Sequence, residues 1–375
     1  MAIIDADAHV EEWAETFSDK YLPAEFAARR PQIVGAGSQA YWLIDSGVIP
    51  HPTGRGCMLI GTPTGYGEVP TAFTARKVDA DAIDSMEMRR VEARHKAMAA
   101  EDIDVQVLYP TLFLAYPIST DPALGSALCR SYNSWLGDVC RQSDRLHFVA
   151  LVDLDDPHAA AAEVRRARQE LGAVGVMILG TAGDRLLDHP SIEPFWAECS
   201  AQNLPVSVHV GWSCPSLNQL YDQIMPSFVV PFLIPVFMGF VSVLSSGILE
   251  RYPNLKVGFF ECGSMWLHFL SDRVDHRWHY INDLSQRMPV PAPGAKRRPS
   301  EVLRSGQVYV SCEVEDALLP QAIELIGAEH ILFGSDMPHG DREPYAAREL
   351  LARKDVADAA KRQILEDNPR RFYNL

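Results

Sequence analysis

Two short segments, far apart in the sequence, carry residue types that bind metal ions. Asp7-Ala8-His9 follows a short apolar run near the start, and Asp336-Met337-Pro338-His339 follows another near the end. In a β-strand, side chains two residues apart point to the same side, so Asp7 and His9 can aim at one point. Asp336 reaches that point only if the first and last strands are neighbours, as they are in a closed barrel. Two carboxylates and a histidine placed together predict a metal site, and therefore an enzyme.

The elements that must position these residues are visible as eight apolar, β-branched segments. They cover residues 2–7, 104–109, 147–152, 174–179, 205–210, 255–260, 307–312 and 330–334. Most are separated by helix-like segments, for example 156–171, 190–202 and 320–326. Strands that alternate with helices indicate a parallel sheet, and eight such units predict a (β/α)8 TIM barrel. The alternative, an open doubly wound sheet, lacks its usual support because no GxGxxG follows the first strand.

Residues 10–100 are too many for one strand–helix unit. They contain a loop rich in glycine and proline at 54–70 and a charged, helix-like stretch at 79–101. We expect a lid-like insertion after strand 1, on the catalytic face of a single domain that spans residues 1–375. The segment 359–373 predicts a closing helix that is interrupted at Asn368-Pro369, where a new turn can begin.

Several polar residues fall at the C-terminal ends of predicted strands, where barrel enzymes carry their active sites. In strand order they are Asp7 and His9, His209, Glu261, Cys312 and Glu313, then Asp336 with His339 just beyond. Each alone has an ordinary structural explanation, such as a hydrogen-bonded histidine, a helix-capping aspartate or a core cysteine. Their coincidence at one end of different strands favours a site. We predict catalytic roles for Glu261, Asp336 and His209.

Composition excludes some classes of function. The formal net charge of −15 argues against nucleic-acid binding, and the densest basic run, Lys296-Arg297-Arg298, is typical of a solvated loop. The seven cysteines are scattered without a CxxC pair, which indicates free thiols in a reducing compartment. The sequence begins directly with a strand-like run and not with a signal-peptide pattern, so we expect a cytoplasmic protein.

The segment 223–249 carries no charge and is long enough to cross a membrane. It also contains Pro226, Pro231 and Pro235 and lies between two predicted barrel strands. Crossing a membrane there would split the barrel, so we expect no membrane contact. A lid, a buried helix or a subunit interface fits better, and we expect a homodimer that covers this apolar surface.

The chain as a whole resembles the amidohydrolase-related family of the amidohydrolase superfamily. It is most similar to the branch that includes aminocarboxymuconate-semialdehyde decarboxylase. The residues that carry the resemblance are Asp5-Ala6-Asp7-Ala8-His9, Tyr132-Asn133-Ser134-Trp135, Val206-Ser207-Val208-His209, Phe333-Gly334-Ser335-Asp336-Met337-Pro338-His339 and Asp367-Asn368-Pro369-Arg370-Arg371. These motifs occur in order across nearly all 375 residues.

The resemblance implies one divalent metal ion, zinc or manganese, held by Asp7, His9, His209 and Asp336. The chain departs from the family at two of its motifs. The usual HxH is Asp7-Ala8-His9, a harder ligand set that favours manganese over zinc. The strand-six histidine that acts as acid or base is replaced by Glu261. This glutamate can transfer protons if burial raises its pKa, bind the metal, or hold a substrate amine.

Three functions remain open at this point. The first is decarboxylation of a small aromatic or enol-type carboxylic acid, the second is hydrolysis of an amide, lactone or carbon–carbon bond, and the third is an inactive binding barrel. The fourth strand contains no lysine, which fits a mononuclear rather than a binuclear metal site. We predict that the substrate is a small molecule. Its candidate contacts are His339, Trp212, Trp266 and Arg277, with Arg76 and Arg89 as further cations for a carboxylate.

Overall fold

The computed structural model describes residues 1–35, 40–45, 47–59 and 80–375. Its strands are β1 (Ile4–Val10), β2 (Gln32–Val34), β3 (Tyr41–Ile44), β4 (Gly47–Ile49), β5 (Val105–Pro110), β6 (Leu146–Leu151), β7 (Gly175–Leu179), β8 (Val206–His209), β9 (Val257–Phe260), β10 (Val308–Cys312) and β11 (Ile331–Phe333). The strands β1 and β5 to β11 form one parallel sheet in chain order, and β2, β3 and β4 form a small antiparallel sheet.

Helices connect the parallel strands and surround the sheet. They are α1 (Ala80–Met86), α2 (Val91–Ala100), α3 (Pro122–Cys140), α4 (Pro157–Arg166), α5 (Glu193–Ala201), α6 (Pro215–Asn218), α7 (Ile224–Ser245), α8 (Ile248–Arg251), α9 (Leu267–Ser285), α10 (Pro299–Leu303), α11 (Leu319–Ile326), α12 (Ala346–Ala352), α13 (Asp358–Arg362) and α14 (Asn368–Tyr373). A π-helical turn extends α4 over Ala167–Leu171, and another joins α13 to α14 over Gln363–Asp367.

The predicted (β/α)8 barrel is confirmed, and each of the eight predicted strands is present. The barrel strands are buried almost throughout, because helices cover their outer face and the barrel core covers the inner one. A strand buried on both faces reads as a continuous apolar run, which is why these segments were visible in the sequence. The first strand continues to Val10, beyond its predicted end at residue 7.

Three backbone N–H groups donate hydrogen bonds between β1 and the segment that follows β11. The backbone N–H of His9 donates to the carbonyl of Met337 (2.7 Å), and the N–H of Asp336 donates to the carbonyl of Asp7 (2.9 Å). The N–H of Ser335 donates to the Asp5 carboxylate (2.9 Å), which lies 330 residues away in the sequence. The barrel is thereby closed, and the two ends of the chain meet at one site.

The insertion after β1 holds β2 to β4, α1 and α2. The helix predicted at 79–101 is two helices, because the chain turns at Met88, whose backbone is left-handed (φ 51°). The predicted loop at 54–70 is described only up to residue 59, so most of it lies outside the described residues. The predicted helices at 156–171, 190–202 and 320–326 are present. The closing segment is helical from Asp358 to Tyr373, so the predicted interruption at Asn368-Pro369 is wrong, and a π-helical turn leads directly into the last helix.

The apolar segment forms helix α7, which packs across β7, β8 and β9 through Phe232, Val236 and Phe240. Within the described residues, one helix, α7, is long and apolar enough to cross a membrane, and 56% of its most apolar window is buried inside the protein. Its backbone approaches β7 closely at Gly180, where a Cβ atom would lie 2.0 Å from the Pro235 carbonyl carbon. Only glycine fits this contact.

Candidate metal centre

Two histidines present the same ring nitrogen to the mouth of the barrel. His9 on β1 has Nδ1 2.8 Å from the carbonyl of Pro110, and His209 at the end of β8 has Nδ1 3.0 Å from the carbonyl of Val210. A carbonyl only accepts hydrogen bonds, so each Nδ1 carries the hydrogen. In a neutral imidazole the other nitrogen, Nε2, then has a free lone pair, as a metal ligand requires.

Glu261 and Asp336 occupy left-handed backbone conformations just after β9 and β11 (φ 55° and 52°). This conformation costs roughly 1 kcal/mol or more for a residue with a side chain, and such strain concentrates at functional sites. Hydrogen bonds hold both turns, because the Glu261 N–H donates to Ser311 Oγ (2.9 Å) and the Asp336 N–H donates to the Asp7 carbonyl. Glu261 thereby lies close to both histidines, and Asp336 lies close to His9.

Five donor atoms converge at this point. His9 Nε2 lies 3.5 Å from Asp7 Oδ1, 3.6 Å from Glu261 Oε2 and 3.5 Å from Asp336 Oδ1. His209 Nε2 lies 3.3 Å from both Asp7 Oδ1 and Glu261 Oε2. All five atoms are buried, and four of them have no hydrogen-bond partner among the described residues. The fifth, Asp336 Oδ1, lies 2.6 Å from His339 Nδ1. The donors form two overlapping groups, Asp7, His9, His209 and Glu261 in one and His9, Glu261, Asp336 and His339 in the other.

Buried polar atoms without partners are costly, by several kcal/mol for charged groups, and native proteins rarely retain four of them together. Imidazole nitrogen and carboxylate oxygen are the donors that zinc and manganese accept. The described residues therefore fit a divalent metal ion. Four of the five donor residues are those predicted as ligands, and the fifth is Glu261.

The charges of the cluster support the same conclusion. Burial acts to raise the pKa of Asp7, but the adjacent His209 and His9 hold that pKa well below its usual range. Burial acts to lower the pKa of His209, but Asp7 and Glu261 raise it. Burial raises the pKa of the Glu261 carboxyl well above its usual range, and the nearby Asp336 adds to this effect. A divalent cation among these carboxylates replaces repulsion with attraction.

A second layer of polar groups orients the donors. Asp5 is buried and accepts hydrogen bonds from Ser335 N–H (2.9 Å), Ser335 Oγ (2.6 Å) and Gln106 Nε2 (2.9 Å). His339 Nδ1 lies 2.6 Å from Asp336 Oδ1, and its Nε2 lies 2.9 Å from Thr111 Oγ1. Such outer contacts fix the rotamers of metal ligands and tune their basicity.

A cavity of about 260 Å³ opens above the donors. One wall is apolar and comes from α7, with Phe228, Phe232 and Leu233. The opposite side is acidic, with Glu313, Glu315, Asp341 and Glu343 beside Glu261 and Asp336. Burial raises the pKa of Glu313 to about 8, with a further contribution from Glu315. Arg342 also lines the cavity, but its guanidinium is held by the carboxylate of Glu101.

The structure brings some predicted substrate contacts to this site and leaves others away from it. Trp212 and His339 line a small adjoining cavity together with Glu261. Trp266 packs against Phe240 and Phe259, beside the barrel.

Two of the three predicted cations, Arg277 and Arg89, are not brought to the cluster. Arg277 lies on α9 and lines a separate groove with Arg273 and Trp278, on the outside of the barrel. Arg89 pairs with the buried Glu87 and covers the ring of Trp13. Arg76 lies outside the described residues.

Sequence reasoning missed Asp5 and Arg342. Asp5 had a usable signal, because it shares the inward face of β1 with Asp7 and His9 at a spacing of two. Arg342 had no usable signal in the sequence, because it lies in an irregular segment after β11 and its neighbours do not distinguish it from the exposed arginines.

A (β/α)8 barrel with histidines and carboxylates at the C-terminal ends of its strands defines a barrel enzyme of the metal-dependent type. The chain belongs to the amidohydrolase family, which matches residues 4–375. The curated proteins include similar decarboxylases. The gamma-resorcylate decarboxylase of Rhizobium radiobacter is 26% identical over 294 residues, which cover 76% of this chain and 87% of the relative.

Solved structures share the fold. An amidohydrolase from Mycobacterium avium subsp. paratuberculosis K-10 superimposes with a TM-score of 0.78 at 24% identity, covering 100% of this chain and 98% of that one. The 5-carboxyvanillate decarboxylase of Novosphingobium aromaticivorans, with bound manganese and 3-methoxy-4-hydroxy-5-nitrobenzoic acid, gives a TM-score of 0.71 at 18% identity. That match covers 100% of this chain and 97% of the other.

Proposed function

We propose that the protein is a metal-dependent carboxy-lyase that removes the carboxylate of a small aromatic or enol-type acid as carbon dioxide. The observation that carries the proposal is the cluster of five buried donor atoms, four of them without a hydrogen-bond partner among the described residues, beside a cavity with an aromatic wall. The curated relatives with decarboxylase activity support the lyase over the hydrolase and over an inactive barrel. The same relatives support a small-molecule substrate.

The reaction breaks one carbon–carbon bond, leaves its electron pair on the ring or enol carbon, and places one proton there. A bound divalent ion would polarise the substrate carboxylate and an adjacent oxygen. Phe228 and Phe232 offer a flat apolar surface for the ring, with Trp212 behind them. Glu261, Asp341 and His339 are titratable groups that line the adjoining cavity, and His339 contacts Asp336 and Thr111 through its two ring nitrogens.

We propose manganese as the metal in preference to zinc. Three of the five donors are carboxylates, which suit manganese better than the sulfur and nitrogen ligands of most zinc sites. Manganese is also the ion bound in the similar 5-carboxyvanillate decarboxylase and dihydroxybenzoic acid decarboxylase structures.

The experiment that tests this function begins with elemental analysis of purified protein beside a His209→Ala variant. We expect about one manganese per chain and its loss in the variant. His330→Ala is the matched control, because His330 is equally buried and also has Nδ1 at a carbonyl (Val308, 3.0 Å), but it lies outside the cluster. Wild-type protein that binds no stoichiometric metal after reconstitution contradicts the proposal.

The second step separates the lyase from the hydrolase. The metal-loaded protein is screened against hydroxy- and amino-benzoic acids for release of carbon dioxide, in water labelled with deuterium and oxygen-18. A lyase places deuterium on the product carbon and no oxygen-18 in the organic product, whereas a hydrolase incorporates oxygen-18. Oxygen-18 in the organic product rules out the lyase. So does a metal-loaded protein that turns over none of these acids.

We also propose that the protein is a homodimer whose interface covers α7 and α9. Large apolar side chains are exposed on both helices, with Met225 73%, Val229 47% and Phe269 68% accessible. A monomeric soluble protein rarely leaves such a surface uncovered. Sedimentation velocity of the wild type and of Phe269→Glu checks this, with the dimer expected to dissociate in the variant. A wild type that sediments as a monomer contradicts the dimer.

A cytoplasmic location is likewise a proposal. All seven cysteines are free thiols, six of them buried, and this pattern is typical of a reducing compartment. Cell fractionation with an antibody to the native protein tests it, and recovery outside the cytosol contradicts it.

A further inference from the structure

We infer that Glu261 is the fifth ligand of the metal and not the acid that protonates the substrate. This inference rests on the proposed metal centre. It assigns a different role to the residue that replaces the family's strand-six acid–base histidine. Three independent features of the described residues carry it: the spacing of the donors, the lone pairs that face the carboxylate, and the backbone at Glu261.

The spacing is that of atoms bound to one ion. Metal–ligand bonds of about 2.1 Å place neighbouring ligand atoms roughly 3.0 Å apart at right angles and roughly 3.4 Å apart at the tetrahedral angle. Glu261 Oε2 lies 3.3 Å from His209 Nε2 and 3.6 Å from His9 Nε2. These distances match those of Asp7 Oδ1 to the same two nitrogens, 3.3 and 3.5 Å. Glu261 is therefore placed as Asp7 is placed.

The Nε2 atoms of His9 and His209 face the Glu261 carboxylate with their lone pairs. Because their Nδ1 atoms point at the carbonyls of Pro110 and Val210, the neutral rings carry no hydrogen on Nε2. An ionised carboxylate oxygen opposite two such nitrogens is repelled by them unless a cation lies between. Glu261 Oε2 is buried and accepts no hydrogen bond in the described part of the chain, so a metal ion is the partner that this geometry accommodates.

The backbone conformation at Glu261 fixes the direction of its side chain. Glu261 is held in the left-handed region by its N–H bond to Ser311 Oγ, and Gly263 two residues later also has positive φ (59°). Asp336, a predicted ligand, uses the same device at the end of β11. Glu313 provides the contrast, since it lines the same cavity but does not belong to the donor cluster.

A carboxylate that binds a metal must stay ionised, so Glu261 cannot donate the proton. The net charge of the filled centre is −1, from three carboxylates and one divalent ion, which favours a substrate that binds as a monoanion or carries a positive group.

The experiment measures manganese affinity directly, by electron paramagnetic resonance titration of the full-length protein stripped with chelator and reloaded. We expect Glu261→Gln to weaken binding by about 100-fold, the upper end of the range for changes around metal ligands. The matched control, Glu313→Gln, removes a neighbouring carboxylate from the same cavity and is expected to leave the affinity within about threefold. Circular dichroism melting confirms that both variants fold.

The outcomes are distinct. If the wild type binds no manganese, the metal centre itself fails, and the inference fails with it. If the wild type binds one manganese and Glu261→Gln binds it equally well, the centre stands and the inference is overturned. Should Glu261→Gln fail to fold, Glu261→Asp replaces it. That variant keeps the charge but shortens the reach, and we expect it to bind more weakly than wild type, with an altered manganese spectrum. Unchanged affinity and spectrum there overturn the inference.

Discussion

Asp5 touches no substrate cavity, yet we expect its replacement by alanine to weaken both the fold and the metal site. Its carboxylate ties β1 to the turn that carries Asp336, through Ser335 N–H, Ser335 Oγ and Gln106 Nε2. The same carboxylate lies 3.3 Å from the Asp7 N–H. Removal of Asp5 therefore loosens Asp7 and Asp336 together.

The magnitude follows from two opposing effects. Three donors left without an acceptor cost roughly 1–3 kcal/mol each, or about 6 kcal/mol together. Burial raises the pKa of Asp5 to about 6, so the buried charge itself costs about 3 kcal/mol at neutral pH, and alanine removes that cost. The expected loss of unfolding free energy is about 3 kcal/mol. Metal affinity should fall by about 10- to 100-fold, as for other residues that orient metal ligands.

The assay combines urea unfolding of the metal-free protein with a manganese titration of the same preparation. Asp104→Ala is the control, because Asp104 also accepts a backbone N–H of the first strand (Ile3, 2.8 Å) but lies at the opposite end of the barrel. The control should lose some stability and keep its metal affinity. If Asp5→Ala loses about 3 kcal/mol but binds manganese as tightly as Asp104→Ala, the positioning argument is wrong.

Two further predictions concern stability. Burial raises the pKa of Glu12 from 4.5 to about 7, although Leu112 N–H donates to it. The folded state therefore binds this proton more tightly than the unfolded state does. The resulting stability, about 3 kcal/mol, is present below about pH 4.5 and lost as pH rises through about 7. Glu12→Gln should flatten this part of the urea-unfolding profile of the metal-free protein, and parallel profiles for variant and wild type would contradict the assignment. Gly180→Ala should lower stability by about 1–3 kcal/mol, because its Cβ meets the Pro235 backbone and α7 must move. Thermal melts measure the change in stability. Gly47→Ala is the control, because a Cβ atom there would have its nearest contact at 3.4 Å, and it should lower stability by less than Gly180→Ala. Equal losses of stability in the two variants would refute the close-contact argument.

The fold was predictable where burial is complete and unpredictable where it is partial. Each barrel strand reads as an apolar run because both of its faces are covered. The strands of the insertion are only three or four residues long, so even the apolar Tyr41–Ile44 is too short to be recognised as a strand from its sequence alone, and Gln32–Val34 is partly exposed. The break between α1 and α2 occurs at Met88, without a glycine or proline to indicate it.

The site was predictable because barrel topology places strand ends together. Asp7, His9, His209, Glu261 and Asp336 could be grouped before any coordinates, since each follows an apolar run. Arg277 could not be placed in the same way, because it belongs to a helix, and helix periodicity alone does not say which side faces the cavity. The structure directs it to an outer groove.

The hydrogen bonds that close the barrel also determine when the donor cluster can exist during synthesis. Asp336 is made long after Asp7, and its N–H bond to the Asp7 carbonyl is one of the contacts that bring the two carboxylates together. A nascent chain that has not yet reached Asp336 holds an incomplete set of ligands, however well its earlier strands have folded. The complete ligand set therefore forms only after Asp336 has been synthesised, and a chain that terminates earlier lacks this ligand.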